Sequence, residues 1–589
     1  MIDFYDFLKE TVNVTCSKTI RGEFTEENKS KLEKKDWRAY ELIKQICTLI
    51  VEYHDDIVDF QPGYRLEGKR SFAISDFNDE DYQILESLEL DKMPVILSYR
   101  ISELLWIKKK MYKMALKAYK YAEELFEQLF SVSRWIRSVE YLKRAITIVA
   151  QLNQKEEWNR LCLKCLEYAE SINVEEGSYA IIYLLRILLE QKYTDTENRS
   201  QLKLDKIIAA DVDRDKKIKA YELKLNILSK DRELLKSTQK NFAIMLIDDA
   251  DKNGRDNIRE LYISEKNLTR AIHLLQNIGE KELADETKKK LIFIQQEILK
   301  NMHVIKVQSD ASESIKLIDK LFTGLSLQEY IIRLTQCAIF LKKENLRKEV
   351  LKSKSDFIGK SLFGTTYKDA NGQTLIELPP LDMDDPEKNE QLLELYMFAE
   401  ARKREEIVGN NQLKLIIQRL NRDYKFTEED LKFLVENNPI VPIGREKIIL
   451  QAIYQGLKGN VYLALHVLAP QLENIFRNIA ENVGGIVITL ENDGTSQKKT
   501  LSSIFELPEL CECYDNDILF VFRGLLNEKT GSNIRNEIAH GIMNETVGNS
   551  GTSIFLLCAA IKLLSYTSKR SLEIYHCLSE KEKTMVSHE

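Results

Sequence analysis

The chain has 589 residues, 44% apolar and 30% charged, a balance that suits about three or four folded domains and argues against long disorder. Its net charge of −7 excludes a surface coated in positive charge, so any contact with nucleic acid must use a local basic site. Only 22 Gly and 9 Pro interrupt this length, which points to long helices joined by short turns.

The start, Met1-Ile2-Asp3-Phe4-Tyr5-Asp6, is acidic and lacks the basic-then-apolar order of a secretory signal. From about residue 80 to 345 the chain reads as helix after helix. Tyr112 to Phe130, Trp135 to Leu152 and Tyr179 to Leu189 each place apolar residues three and four apart. Ala118 to Phe126 resembles a tetratricopeptide helix, but no fixed period runs through the region. An irregular helical array and a plain helical bundle therefore both fit. Lys110, Lys113 and Lys117, with Tyr112 and Tyr119 nearby, suit either an RNA-binding face or an ordinary solvated one, and charge patterns favour the latter. The nine cysteines are an odd number without framework spacing, as expected of reduced thiols. Cys162-x-x-Cys165 has no second half with which to build a zinc site, and Cys511 and Cys513 are no better placed.

Asn371-Gly372 between strand-like segments, Thr365 onward and Thr374 to Leu378, predicts a hairpin, and Asp382 to Pro386 reads as linker. A second break lies at Asn437 to Gly444. The resulting division is 1–355, a helical region; 356–445, a linker region with a hairpin and helices; and 446–589, a terminal helical bundle. In the last part, helices are expected over Glu446 to Leu457 and Val461 to Asn482, the latter kinked at Pro470. A hairpin is expected over Gly484 to Lys499 with Asp493-Gly494 at its tip, followed by helices over Asp515 to Leu526, Asn533 to Asn544, Ser553 to Ser568 and Ser571 to Ser579. The longest apolar run, Ile554 to Ile561, is too short to span a bilayer. The fold class expected is mainly α with small β-hairpins, and the location expected is the cytoplasm, with no membrane partner.

Two segments match Arg-x4–6-His: Arg535 to His540 and Arg570 to His576. With seven histidines and three permitted spacings, about one match arises by accident. Context separates the two. On a continuous helix, Ile534, Ile538 and Ile542 form an apolar stripe, and Asn536, His540 and Asn544 form a second one nearly opposite. Ser532 or Asn533 is placed to cap the helix, and Arg535 falls in the first turn, where free backbone N–H groups favour a phosphate. Arg535 and His540 are about 140° apart on an ideal helix. The Arg570 segment has no such lead-in and no second amide.

Asn533-Ile534-Arg535-Asn536-Glu537-Ile538-Ala539-His540-Gly541 resembles the signature of the HEPN superfamily. Upstream, Gly444-Arg445-Glu446, Gly456-Leu457-Lys458-Gly459-Asn460 and Ala469-Pro470-Gln471-Leu472-Glu473-Asn474-Ile475-Phe476-Arg477 resemble the branch catalogued as domain of unknown function 4209, whose similarity begins near Leu362. The resemblance implies a HEPN helical bundle that cuts RNA without a metal or cofactor. The ribose 2′-hydroxyl attacks the adjacent phosphate and leaves a 2′,3′-cyclic phosphate and a 5′-hydroxyl. Such chemistry needs a proton-transfer group, the role of the His540 imidazole, and a fixed cation, the role of Arg535. Asn536 is placed to orient the imidazole or bind a phosphate oxygen. The resemblance also implies a homodimer through the C-terminal domain, with two motifs lining one cleft.

His466, Glu473 and Arg477 share a face of the long helix. Glu473 and Arg477 either support the cleft or form an ordinary i,i+4 ion pair worth a few tenths of a kcal/mol. Three functions stay open on these observations. The first is a metal-independent endoribonuclease in bacterial stress or antiviral defence, gated by the N-terminal helices. The second is a non-catalytic HEPN module that binds nucleotide or RNA, or only dimerises. The third is a helical scaffold that holds a protein or ligand partner on its N-terminal region.

Overall fold

The computed structural model describes residues 3–12, 24–54, 57–66, 69–195, 197–229, 231–255, 257–302, 312–356, 364–369, 371–381, 389–491 and 495–586. Within them the protein is mainly α-helical, and its strands form four separate two-stranded antiparallel hairpins. The chain divides into two compact units, Met1–Ile294 and Gln295–Glu589.

In the first unit the helices Val95–Lys109, Tyr112–Leu129, Trp135–Gln151, Lys155–Ser171 and Val174–Glu190 each pack against the next. The periodicity explains why. Tyr112–Leu129 buries Met114, Ala115, Ala118, Tyr119, Ala122, Leu125 and Phe126, one continuous stripe at three- and four-residue spacing. Inside this core Arg144, 3% exposed, pairs with Glu103, 0% exposed, and so ties the Trp135–Gln151 helix to Val95–Lys109. Ahead of the stretch from about 80 to 345 that reads as helix after helix, the first unit holds two hairpins, Ile50–His54 with Ile57–Gln61 and Arg65–Leu66 with Lys69–Arg70.

The second unit is built around Gly551–Ser565, in which every residue but Lys562 is buried. A helix apolar on all sides has no solvent face and belongs at a centre. Helices Leu327–Cys337, Glu390–Val408, Glu446–Leu457 and Val461–Asn482 all pack on it. Lys562 donates from Nζ to the Ala338 carbonyl (2.7 Å) and lies 4.6 Å from the Phe340 ring centroid, contacts that offset part of the burial which lowers its pKa to about 8. The sequence boundaries near 355 and 445 thus run through a shared core: Leu334, Ile416 and Ile453 belong to one buried cluster. The division at 294/295 carries no glycine or proline signal because it falls within the helix Lys281–Asn301.

Helices Glu446–Leu457 and Val461–Asn482 occur where the sequence places them, and the second runs unbroken through Pro470. The expected hairpins form at Thr365–Lys368 with Thr374–Leu378 and at Ile488–Leu490 with Ser496–Lys498. The Asp493-Gly494 tip and the Asp382 to Pro386 linker lie outside the described residues. Among the described residues no single helix is long and apolar enough to cross a membrane.

Candidate functional site

The motif helix is Ile534–Ala539, six residues, where the sequence pattern predicts one continuing to Asn544. A left-handed turn stops it. Gly541 takes φ 68°, its N–H donates to the Ile538 carbonyl, and the Ile542 N–H donates to that of Glu537, both at 3.0 Å. His540 is therefore the C-terminal cap. Asn544 belongs to the next helix, Glu545–Gly548, where its Oδ1 accepts from the Val547 N–H (2.9 Å). The two expected stripes fail beyond this turn. Ile534 is buried and Ile538 half-buried, but Ile542 is 45% exposed.

The helix start also differs from expectation. Asn533 is the N-cap residue, yet it sits at φ 52° and its side chain caps no backbone N–H. Its Oδ1 instead accepts from Asn536 Nδ2 at 2.7 Å. Ser532 Oγ is buried without a partner among the described groups. The loop is held by the backbone: Ser532 N–H donates to the Gly524 carbonyl (2.8 Å), and a Cβ on Gly531 would fall 2.2 Å from that oxygen. Only glycine allows this approach to the helix Asn516–Leu526.

Arg535 points to a carboxylate contributed by the long helix Val461–Asn482. Glu473 Oε2 accepts from Arg535 Nε (2.8 Å), and its Oε1 accepts from Arg477 Nη2 (2.9 Å). Arg535 Nη1 donates to Asn536 Oδ1 (2.9 Å), while its Nη2 has no partner among the described groups. Arg477 Nη2 also lies 3.4 Å from the Lys499 carbonyl. Side-chain exposure falls from 30% for Arg535 to 15% for Glu473 and 11% for Arg477, so Arg535 is the member open to solvent. The ordinary i,i+4 pair read from the sequence is present and extends to a second arginine 62 residues away.

His540 is exposed, and its imidazole bonds to no described group. The structure thus joins Arg535, Asn536, Glu473 and Arg477 into one bonded set and leaves His540 just past it in solvent. His466 stays apart: its Nδ1 lies 2.9 Å from the Tyr462 carbonyl and its ring packs edge-on against Tyr462. Sequence reasoning missed Asn533 as a partner of Asn536, although their one-turn spacing was a usable signal. It also missed Asn527, whose Oδ1 lies 3.4 Å from Asn536 Nδ2 and whose Nδ2 donates to Ser502 Oγ (2.6 Å). On the inner side of the motif helix, burial raises the Glu537 carboxyl above its usual range, opposed by Arg402. Glu405, deeper still, is pushed up to about 8 by burial.

Comparison with known families gives one match, a domain of unknown function, DUF7380, over residues 1–160. That stretch lies wholly within the first unit and does not reach the arginine–glutamate set. No curated protein and no solved structure matches the chain.

The other candidates have ordinary surroundings. Arg570 pairs with Glu573 (3.1 Å) on the helix Lys569–Val586, and His576 is exposed there. Lys117 pairs with Asp91 (2.7 Å), Tyr119 is core, and Lys110 ends its helix in the left-handed region with its Nζ 5.8 Å from the Trp106 ring centroid, while Tyr112 and Lys113 are exposed. Cys162 and Cys165 are buried, and burial pushes the Cys162 thiol up to about 12. Among the described residues no group of His, Cys, Asp and Glu is arranged to hold a metal ion.

Proposed function

We propose that the second unit is a HEPN-type endoribonuclease acting in the cytoplasm on RNA, without a metal. One observation carries the reading. Arg535 is fixed by Glu473 and Asn536 with Nη2 unoccupied, on the same short helix that ends in an exposed, unengaged His540. In this reading the 2′-oxygen of a ribose attacks the adjacent phosphorus, the 2′-O–P bond forms and the P–O5′ bond breaks. The 2′-hydroxyl proton leaves to a base, and the 5′-oxygen gains a proton. His540 serves one of these transfers, and Arg535 stabilises the charge developing on the phosphoryl oxygens. A second copy of the chain supplies the other transfer group across a two-fold cleft. A role in stress or antiviral defence belongs to the same reading, with the N-terminal helices receiving a protein or ligand signal.

One observation favours the non-catalytic alternative: Glu473 already neutralises part of the charge that would meet a phosphate. Cleavage assays decide. Purified wild type is expected to cut mixed RNA in the presence of chelator and leave cyclic-phosphate ends. His540→Ala is expected to lose about 10²-fold or more in rate, the usual contribution of a proton-transfer group. Cleavage unchanged in His540→Ala would remove His540 from the mechanism, and loss with chelator would remove the metal-free route.

A further inference from the structure

An ion pair between residues four apart on one helix needs no explanation beyond helix geometry. The Glu473 carboxylate does more than this, because its second oxygen reaches across to another helix. Oε1 is bonded to Arg477 and Oε2 to Arg535. The two ends differ in freedom. Arg477 is nine-tenths buried, and its Nε has no partner among the described groups, so its guanidinium depends on Glu473 and the Lys499 carbonyl. Arg535 is the exposed end.

We infer that Glu473 is a positioning residue that aims the unoccupied Nη2 edge of Arg535 at one phosphodiester group, with Arg477 as its fixed anchor. This inference rests on the ribonuclease reading above. A guanidinium is planar, so bonds at Nε and Nη1 set the direction of the remaining N–H groups. The bonds from Arg535 to Glu473 and to Asn536 are such a pair. Holding a donor in place before substrate arrives removes an orientational cost that would otherwise fall in the transition state. The charge sum shows what opposes this gain. Two arginines and one glutamate leave a net +1, enough to favour a single phosphate but less attractive than the arginines alone. Glu473 therefore weakens ground-state attraction while improving aim. That combination separates binding from turnover, which a purely structural ion pair does not do.

The test compares full-length wild type, Glu473→Gln and Glu473→Asp. Binding is read by fluorescence anisotropy with a 2′-O-methylated RNA oligonucleotide, which lacks the attacking hydroxyl. Turnover is read on the matching RNA at saturation. Glu473→Gln is expected to bind a few-fold more tightly and to turn over at least about tenfold more slowly, as a misaimed donor does. Glu473→Asp keeps the charge but is too short to span both arginines, so turnover falls with binding unchanged. Wild-type turnover in Glu473→Gln, or binding and turnover weakened in parallel, would overturn the inference. If Glu473→Gln does not fold, Glu473→Asp decides alone: unchanged turnover overturns. If wild type shows no His540-dependent cleavage, the ribonuclease reading falls separately. The binding arm then still decides the charge sharing, with tighter binding in Glu473→Gln sustaining it and unchanged or weaker binding overturning it.

Discussion

Each unit contains a glutamate held by an arginine, and the two arrangements differ in what surrounds them. In the first unit Glu103 and Arg144 are both almost fully buried, one pair joining two helices of the array. In the second unit Glu473 bonds two arginines, and one of them, Arg535, reaches solvent with an unused N–H edge. A closed pair can only hold helices together, because no ligand can reach it. An open pair can hold a helix and still present a cation. The closed pair joins two helices of the first unit, and the open one leaves a guanidinium edge facing solvent in the second.

The largest effect expected is at the closed pair. Arg144→Ala leaves Glu103 buried without its counter-charge, which costs about 3–5 kcal/mol. Chemical denaturation is expected to show the loss. A change below about 1 kcal/mol would mean that Glu103 is solvated on opening, and the contrast between the units would disappear.

The second effect is a pH dependence in the other unit. The Glu405 carboxyl is raised by burial to about 8, against an ordinary value of 4.5. The folded form therefore binds the proton more tightly than the unfolded form. Its contribution is fully present below about 4.5 and is lost as pH rises through about 8, with a slope of roughly 1.4 kcal/mol per pH unit between them. Glu405→Gln is expected to remove that slope from denaturation curves. A slope that persists in the variant would place its origin in another group, with Glu537 the next to examine, since burial raises it too.

The smallest effect is expected at Lys117, whose pair with Asp91 lies at the surface of the first unit, Asp91 being 75% exposed. Lys117→Ala should cost less than about 1 kcal/mol and leave RNA binding unchanged. Weaker RNA binding in that variant would move nucleic-acid contact onto the helical array and sharpen the role assigned to the first unit.

Several features are legible in the sequence because they depend on neighbours in the chain. The stripe from Met114 to Phe126, the hairpin at Asn371-Gly372 and both bounds of Val461–Asn482 are set by periodicity and local turn chemistry. The bond between Glu473 and Arg477 belongs with them, since four residues is the helix repeat. The length of the motif helix is also locally encoded, in Gly541, but the isoleucine spacing outweighs that signal. A glycine directly after a short helix is the residue most able to take the positive φ that ends it.

What the sequence by itself determined, then, is the helical character of the chain, the bounds of helices such as Glu446–Leu457 and Val461–Asn482, and the residue types gathered around Arg535. Only the tertiary structure decided that Glu473 spans two arginines and that Asn527, nine residues back in the chain, comes within 3.4 Å of the Asn536 amide. It also decided that the helices Leu327–Cys337, Glu446–Leu457, Val461–Asn482 and Gly551–Ser565 share one core, while Lys343–Asp356 and Glu390–Val408 bury their apolar residues in a second cluster beside it. The physical reason is range. Backbone hydrogen bonds and side-chain periodicity act within a few residues, whereas a carboxylate meets a guanidinium 62 residues away only when packing brings the two helices together.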